Sequence, residues 1–213
     1  MLNHYVGIVC AIMLLSTSCR DQGPKDDVAD IRNTFNNYVQ ALTQGEGKTA
    51  AALVDSNTLS YYDRMLEMAR SADSVEVSRA DLMDKITVLG LRMHASGSGL
   101  TKMSAKDAIA AGAANGMLGG EQLKALDIGN ISVDGDEASA PMKLGGFPVP
   151  AKFHFRREGE QWKIDITPLF TISRMAFEQM GARRGEAGDE WLMELLTSST
   201  GQRPSNDIWH PQQ

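Results

Sequence analysis

The order of apolar and polar positions divides this chain into a helical first half, a stranded middle and a helical end. Val28, Ile31, Phe35, Tyr38 and Leu42 step by three and four residues, which puts them on one stripe of a helix. Asp26 or Asp27 can cap its start, and Gly45 follows its end. A second stripe joins Leu59, Tyr62, Leu66 and Ala69, with Ser56 or Asn57 as cap and Tyr61 turned outward. A third helix opens on the capping box Ser78-Arg79-Ala80-Asp81 and carries Leu82, Ile86, Leu89 and Met93, although Ile86–Met93 also fits a strand. A fourth starts at Ser104 and runs through alanines to the stop signal Asn115-Gly116. Its small side chains let a neighbour approach closely.

From Leu126 the period becomes two. Ile131 and Val133 alternate with polar residues, and Asp134-Gly135 marks a hairpin turn. Leu126 and Ile128 lie in the opposite phase, which predicts a bulge near Gly129-Asn130. Ala138, Ala140, Met142 and Leu144 form the next apolar face, broken at Gly145–Pro148. Val149, Ala151, Phe153 and Phe155 then face Trp162, Ile164 and Ile166 across a turn at Glu158-Gly159. That turn sets Phe155 opposite Trp162, Phe153 opposite Ile164 and Lys152 opposite Asp165. A helix resumes after Thr167-Pro168 with Leu169, Ile172, Ala176 and Met180 inward, and Gly181–Gly188 reads as a charged loop. Asp189 can cap a last helix bearing Trp191, Leu192, Leu195 and Leu196. The predicted class is α+β: N-terminal helices packed on a curved antiparallel meander of about four strands, with extra C-terminal helices.

The first residues follow a different logic. Val6–Leu15 is an apolar run too short for a membrane span, which needs roughly 20 residues. It fits the centre of an export signal. Small residues Ser16-Thr17-Ser18 lead to Cys19, and polar residues follow. This resembles the lipobox of bacterial lipoproteins, with Ser16 where that family usually has leucine and no Lys or Arg in the leader. The resemblance implies cleavage before Cys19 and fatty acylation of that cysteine, palmitate being the usual chain. Membrane attachment through that lipid would leave the domain facing the periplasm. Arg20, where aspartate would imply inner-membrane retention, favours the outer membrane. The alternative is an ordinary secretory signal cut near Ser18 with a free Cys19. The expected organisation is a signal peptide over 1–18, a lipidated cysteine and tether over 19–27, one domain over 28–198 and a loose tail over 199–213.

Composition narrows the function classes. The chain is 42% hydrophobic and 23% charged, a globular balance, with net charge −6. An acidic chain without a basic domain argues against nucleic acid as a partner. The other cysteine, Cys10, leaves with the leader, so neither a disulfide nor a cysteine metal site is expected.

The helix ending at Gly45, the segment LSYYDRMLEMA and the closing GEQWKIDI are similar to the nuclear-transport-factor-two-like cone fold, common among bacterial lipoproteins. The likeness covers Val28–Arg70 and Ile128–Ile166. It implies a pocket between sheet and helices but no particular reaction.

Candidate chemistry is sparse. His154 shares the polar face of its strand with Lys152 and Arg156, and Lys163 and Asp165 follow on the next. That face could hold an anionic ligand, or His154 and Asp165 could act as an acid/base pair. A solvated sheet face accounts for it as well. His94 reads as a helix-end cation, and the methionines, among them Met65, Met68, Met83, Met93 and Met103, as core filling. No nucleophile elbow, phosphate loop, zinc motif or cofactor signature occurs, so no catalytic residue, metal or cofactor is assigned. The expected function is a non-enzymatic envelope lipoprotein that binds a small apolar ligand or another envelope protein. The alternatives are a small cone-fold enzyme and a structural or toxin-neutralising partner with Trp191 at its contact surface.

Overall fold

Pro24 sets the first backbone angle of α1 (Pro24–Thr43), so the helix begins inside the stretch read above as tether. This computed structural model describes residues 24–95, 98–114, 118 and 121–211. The expected leader and lipid-bearing Cys19, and the Asn115-Gly116 stop, lie outside the described residues. The α1 stripe works as its spacing predicts. Ile31, Phe35 and Tyr38 are almost wholly buried, and Phe35 meets Phe153 of the sheet edge to face at 5.3 Å. Burying each such side chain contributes about 1.5–3 kcal/mol.

After the positive-φ Gly45 comes α2 (Gly47–Leu53), a short helix that the apolar pattern did not announce. α3 (Ser56–Ser71) is capped one residue earlier than expected, because Asp55 accepts from the Thr58 N–H at 2.8 Å. Tyr61 and Tyr62 are both buried rather than split between core and solvent. The expected box at Ser78–Asp81 is divided between two helices. Asp73 caps α4 (Ser74–Arg79), and Asp81 caps α5 (Leu82–His94) by accepting from Met83 and Asp84. Ile86–Met93 is therefore helical. α6 (Ser98–Lys102) leads to α7 (Ala105–Ala114), where Ser104 and Asp107 cap reciprocally.

The strands are β1 (Leu126–Ile128), β2 (Ser132–Asp134), β3 (Glu137–Leu144), β4 (Phe147–Glu158) and β5 (Gln161–Asp165). β1 and β2 lie end to end along β3, and the order continues through β4 to β5, all antiparallel. Register along β3 shifts by one residue between Ile128 and Ser132, the irregularity predicted at Gly129-Asn130. Ala138, Ala140, Met142, Phe153, Phe155, Trp162 and Ile164 face the helices and are buried, giving the expected α+β class.

Both tight turns differ from expectation in the same way. Glu158 pairs with Gln161, Arg157 with Trp162, Phe155 with Ile164 and His154 with Asp165, so the turn is Gly159-Glu160. The preceding hairpin likewise turns at Gly135-Asp136. Positive φ falls on the glycine alone in each turn, which is the type II′ arrangement with glycine first. The register moves by two residues, so every side chain keeps its face while every partner changes.

α8 (Thr167–Arg184) extends into the first half of the region read as a loop and ends at Gly185 in the left-handed conformation. Leu169 and Ile172 are half-buried, but Met180 is exposed and Ala176 faces solvent, contrary to the predicted inward stripe. α9 (Gly188–Thr200) buries Trp191, Leu192 and Leu196. The tail is not loose throughout, because a 3-10 turn at Asn206–Trp209 seats Ile208 in the core. No helix among the described residues is long and apolar enough to cross a membrane.

Candidate functional site

Because β5 is short, it covers only His154–Glu158 of β4, and the margin of β4 from Phe147 to Phe153 carries no strand on that side. The far edge of β5 is closed by a parallel bridge from Val54 to Ile164. α8 leaves the sheet just after β5 and runs past the open margin of β4. A groove of about 810 Å³ lies between them, within the range of ligand sites. Pro141, Val149 and Ala151 line it from the sheet, and Ile172, Met175 and Ala176 from α8. Met175 is 60% exposed, and Leu144 and Phe147 stand exposed at the β3–β4 turn. Met175 and Ala176 of α8 thus face this groove instead of the core, while Ile172 packs partly against both.

The polar side chains singled out from sequence come together only in part: His154, Arg156 and Asp165 border one hollow, and Lys152 and His154 line the groove. Lys163 turns away to donate to the Ala52 carbonyl at 2.7 Å and to Gln161. Arg156 pairs with Glu137 at 3.1 Å, an exposed contact of small energetic weight. The expected Lys152–Asp165 pairing is replaced by His154 opposite Asp165. The Asp165 carboxylate is occupied structurally. It accepts from Asn57 at 2.9 Å, from the Thr167 N–H at 2.8 Å and from the Thr167 hydroxyl at 2.7 Å, fixing the corner from β5 into α8. Lys152 and His154 line the groove.

His154 also borders a smaller polar hollow of about 190 Å³ with Asp55, Asn57, Glu137, Arg156 and Asp165. Burial raises the Asp55 carboxyl above the usual carboxylate range, opposed by its bonds from Thr58, while nearby Asp165 and Glu158 raise it further. Asp55 caps α3 and Asp165 caps the α8 corner, so this hollow is a junction of helix starts. An acid/base cycle through Asp165 would compete with those bonds.

Two interior clusters escaped the sequence reading. The Tyr61 hydroxyl donates to Asp84 at 2.9 Å and lies beside Thr87, and the Tyr61 ring packs on Phe170 at 4.6 Å. Burial raises both the tyrosine hydroxyl and the Asp84 carboxyl. Asp27 accepts from Arg157 at 2.6 Å and from the Trp162 ring N–H at 3.2 Å, and Arg157 lies over that indole at 4.5 Å. These contacts hold α1 to the sheet. Each joins residues far apart in sequence, so no local spacing could have revealed them.

Met65 and Met142 are buried, and Met68, Met93 and Met103 pack against the core. His94 sits at the end of α5. Trp191 is 4% exposed and donates to the Phe177 carbonyl at 3.0 Å, which removes it as a contact surface. No metal-holding cluster of His, Cys, Asp and Glu occurs among the described residues. The groove could have been suspected from Pro148 and Pro150, since prolines in a strand mark an unpaired margin. Comparison with protein-family models, curated proteins and solved structures finds no match.

Proposed function

We propose that this chain is a lipid-anchored envelope protein, attached through Cys19, whose domain binds a small apolar ligand in the groove between β4 and α8 without catalysing a reaction. The observation that carries the binding reading is the groove itself, where Val149 and Ile172, packed only partly against the core, and the exposed Met175 and Ala176 present apolar surface. Apolar surface exposed as a patch favours a ligand over water, and a cleft gathers that gain on one molecule. The curled sheet backed by α1 and α2 supports the reading as a nuclear-transport-factor-two-like domain. The leader pattern before Cys19 supports the anchor.

Two measurements test this. Metabolic labelling with a fatty acid should mark the chain, and Cys19→Ser should abolish the label; undiminished labelling removes the anchor. Native mass spectrometry of the protein purified from membranes should show a bound small molecule that is lost in Ile172→Asp. If parent and variant have identical masses beyond the substitution, the groove is not the binding site.

A further inference from the structure

The groove is apolar but not uniform. Among the described residues lining it, Lys152 and His154 are the only ones able to carry charge, and none is a carboxylate. The nearest acids, Asp55, Glu137 and Asp165, lie outside the groove in the smaller hollow that His154 also borders, with Asp165 opposite His154 on β5, and Lys152 does not border that hollow. Lys152 and His154 alternate on the same face of β4, so both side chains reach the same stretch of the groove. The opposite wall, from Ile172 to Met175 and Ala176, is aliphatic.

Backbone chemistry separates two kinds of occupant. An extended peptide would need hydrogen bonds from the open margin of β4. That margin carries Pro148 and Pro150, so donors are missing where strand addition needs them. A flexible aliphatic chain needs no such donors. Resting on the groove reading above, we propose that the ligand is a single-chain amphiphile with a carboxylate head, a long-chain fatty acid. Its head is held by Lys152 and His154, and its alkyl chain lies along Val149, Ile172 and Met175. One lysine and one imidazole match the two oxygens of a carboxylate, while the cavity volume accommodates the chain.

The test is calorimetric titration of the full chain carrying Cys19→Ser, in detergent-free buffer, with dodecanoic acid and with dodecan-1-ol. The acid should bind one per chain and more tightly than the alcohol. Joint replacement Lys152→Met and His154→Gln should weaken the acid by about tenfold, the loss of one charge-assisted contact, and leave the alcohol unchanged. Met175→Asp should weaken both. Acid and alcohol binding equally, or an acid affinity indifferent to the joint replacement, overturns the head-group assignment and leaves the apolar groove intact. Binding of neither overturns the groove reading as well. Both replaced side chains lie on the solvent side of β4, so the variants keep the fold.

Discussion

Arg92 is 2% exposed, and its guanidinium donates only to carbonyls: Met68, Ala69 and Ala72 at the end of α3, and Ile208 in the C-terminal turn. Orphan carbonyls at a helix end carry partial negative charge, so a cation there is neutralised without a carboxylate. Burial lowers the Arg92 pKa, and the four acceptors keep it charged. Arg92→Met should cost about 3 kcal/mol by urea unfolding, because the acceptors stay buried and unpaired. It should also release the Asn206–Trp209 turn to proteolysis before global unfolding. Asp27 makes a second test at this scale. Its bond from Arg157, then that from Trp162, hold its carboxyl below the usual range against the opposing effect of burial. A depressed native pKa means stability present above the ordinary carboxylate pKa and lost as pH falls through the native one. Asp27→Asn should therefore lower the urea midpoint at pH 7, while parent and variant converge as the pH falls through the depressed native pKa of Asp27.

Helices reveal where spacing suffices and where it does not. α1 and α3 were legible because their apolar stripes run over several turns, and the alanines of α7 gave the close approach its composition suggests. α2 left no such trace, because its buried residues are Gly47, Ala50 and Ala51, too small to register as a hydrophobic period. What holds it is proximity: a Cβ on Gly47 would lie 2.0 Å from the Ala110 carbonyl oxygen of α7. Gly47→Ala should thus lower the melting temperature despite alanine's better helix propensity, by the equivalent of about 2–3 kcal/mol. Gly99→Ala in α6, where nothing lies within 4 Å, should leave it unchanged or raise it. Among the strands, alternation assigned faces correctly and register wrongly. A two-residue slip conserves the face, and only the turn chemistry of Gly135 and Gly159 decides between registers. The same ambiguity hid the groove. The periodicity of α8 assigns Ala176 inward, but which surface is inward depends on β5 being too short to cover β4, and that is a property of the whole sheet.

At the scale of the molecule, the two ends of the sheet differ in chemistry. The Asp27–Arg157 contact places the start of α1 beside the β2–β3 and β4–β5 turns, an end rich in Asp134, Asp136, Glu158 and Glu160. The β3–β4 turn, with Leu144 and Phe147 exposed, lies at the other end, and the groove opens toward it. With Cys19 anchored as proposed, the few residues before Pro24 reach at most about 3.5 Å each, so the acidic end must stand next to the headgroups. The groove is then set outward by most of β4, at about 3.3 Å per residue. A fluorophore on Glu160→Cys in the lipidated protein on vesicles should be quenched by headgroup-attached nitroxide, and one on Phe147→Cys should respond only to aqueous iodide. Quenching of the Phe147 probe by the lipid nitroxide would mean that the apolar end lies in the bilayer, and the groove would then take its ligand directly from the membrane.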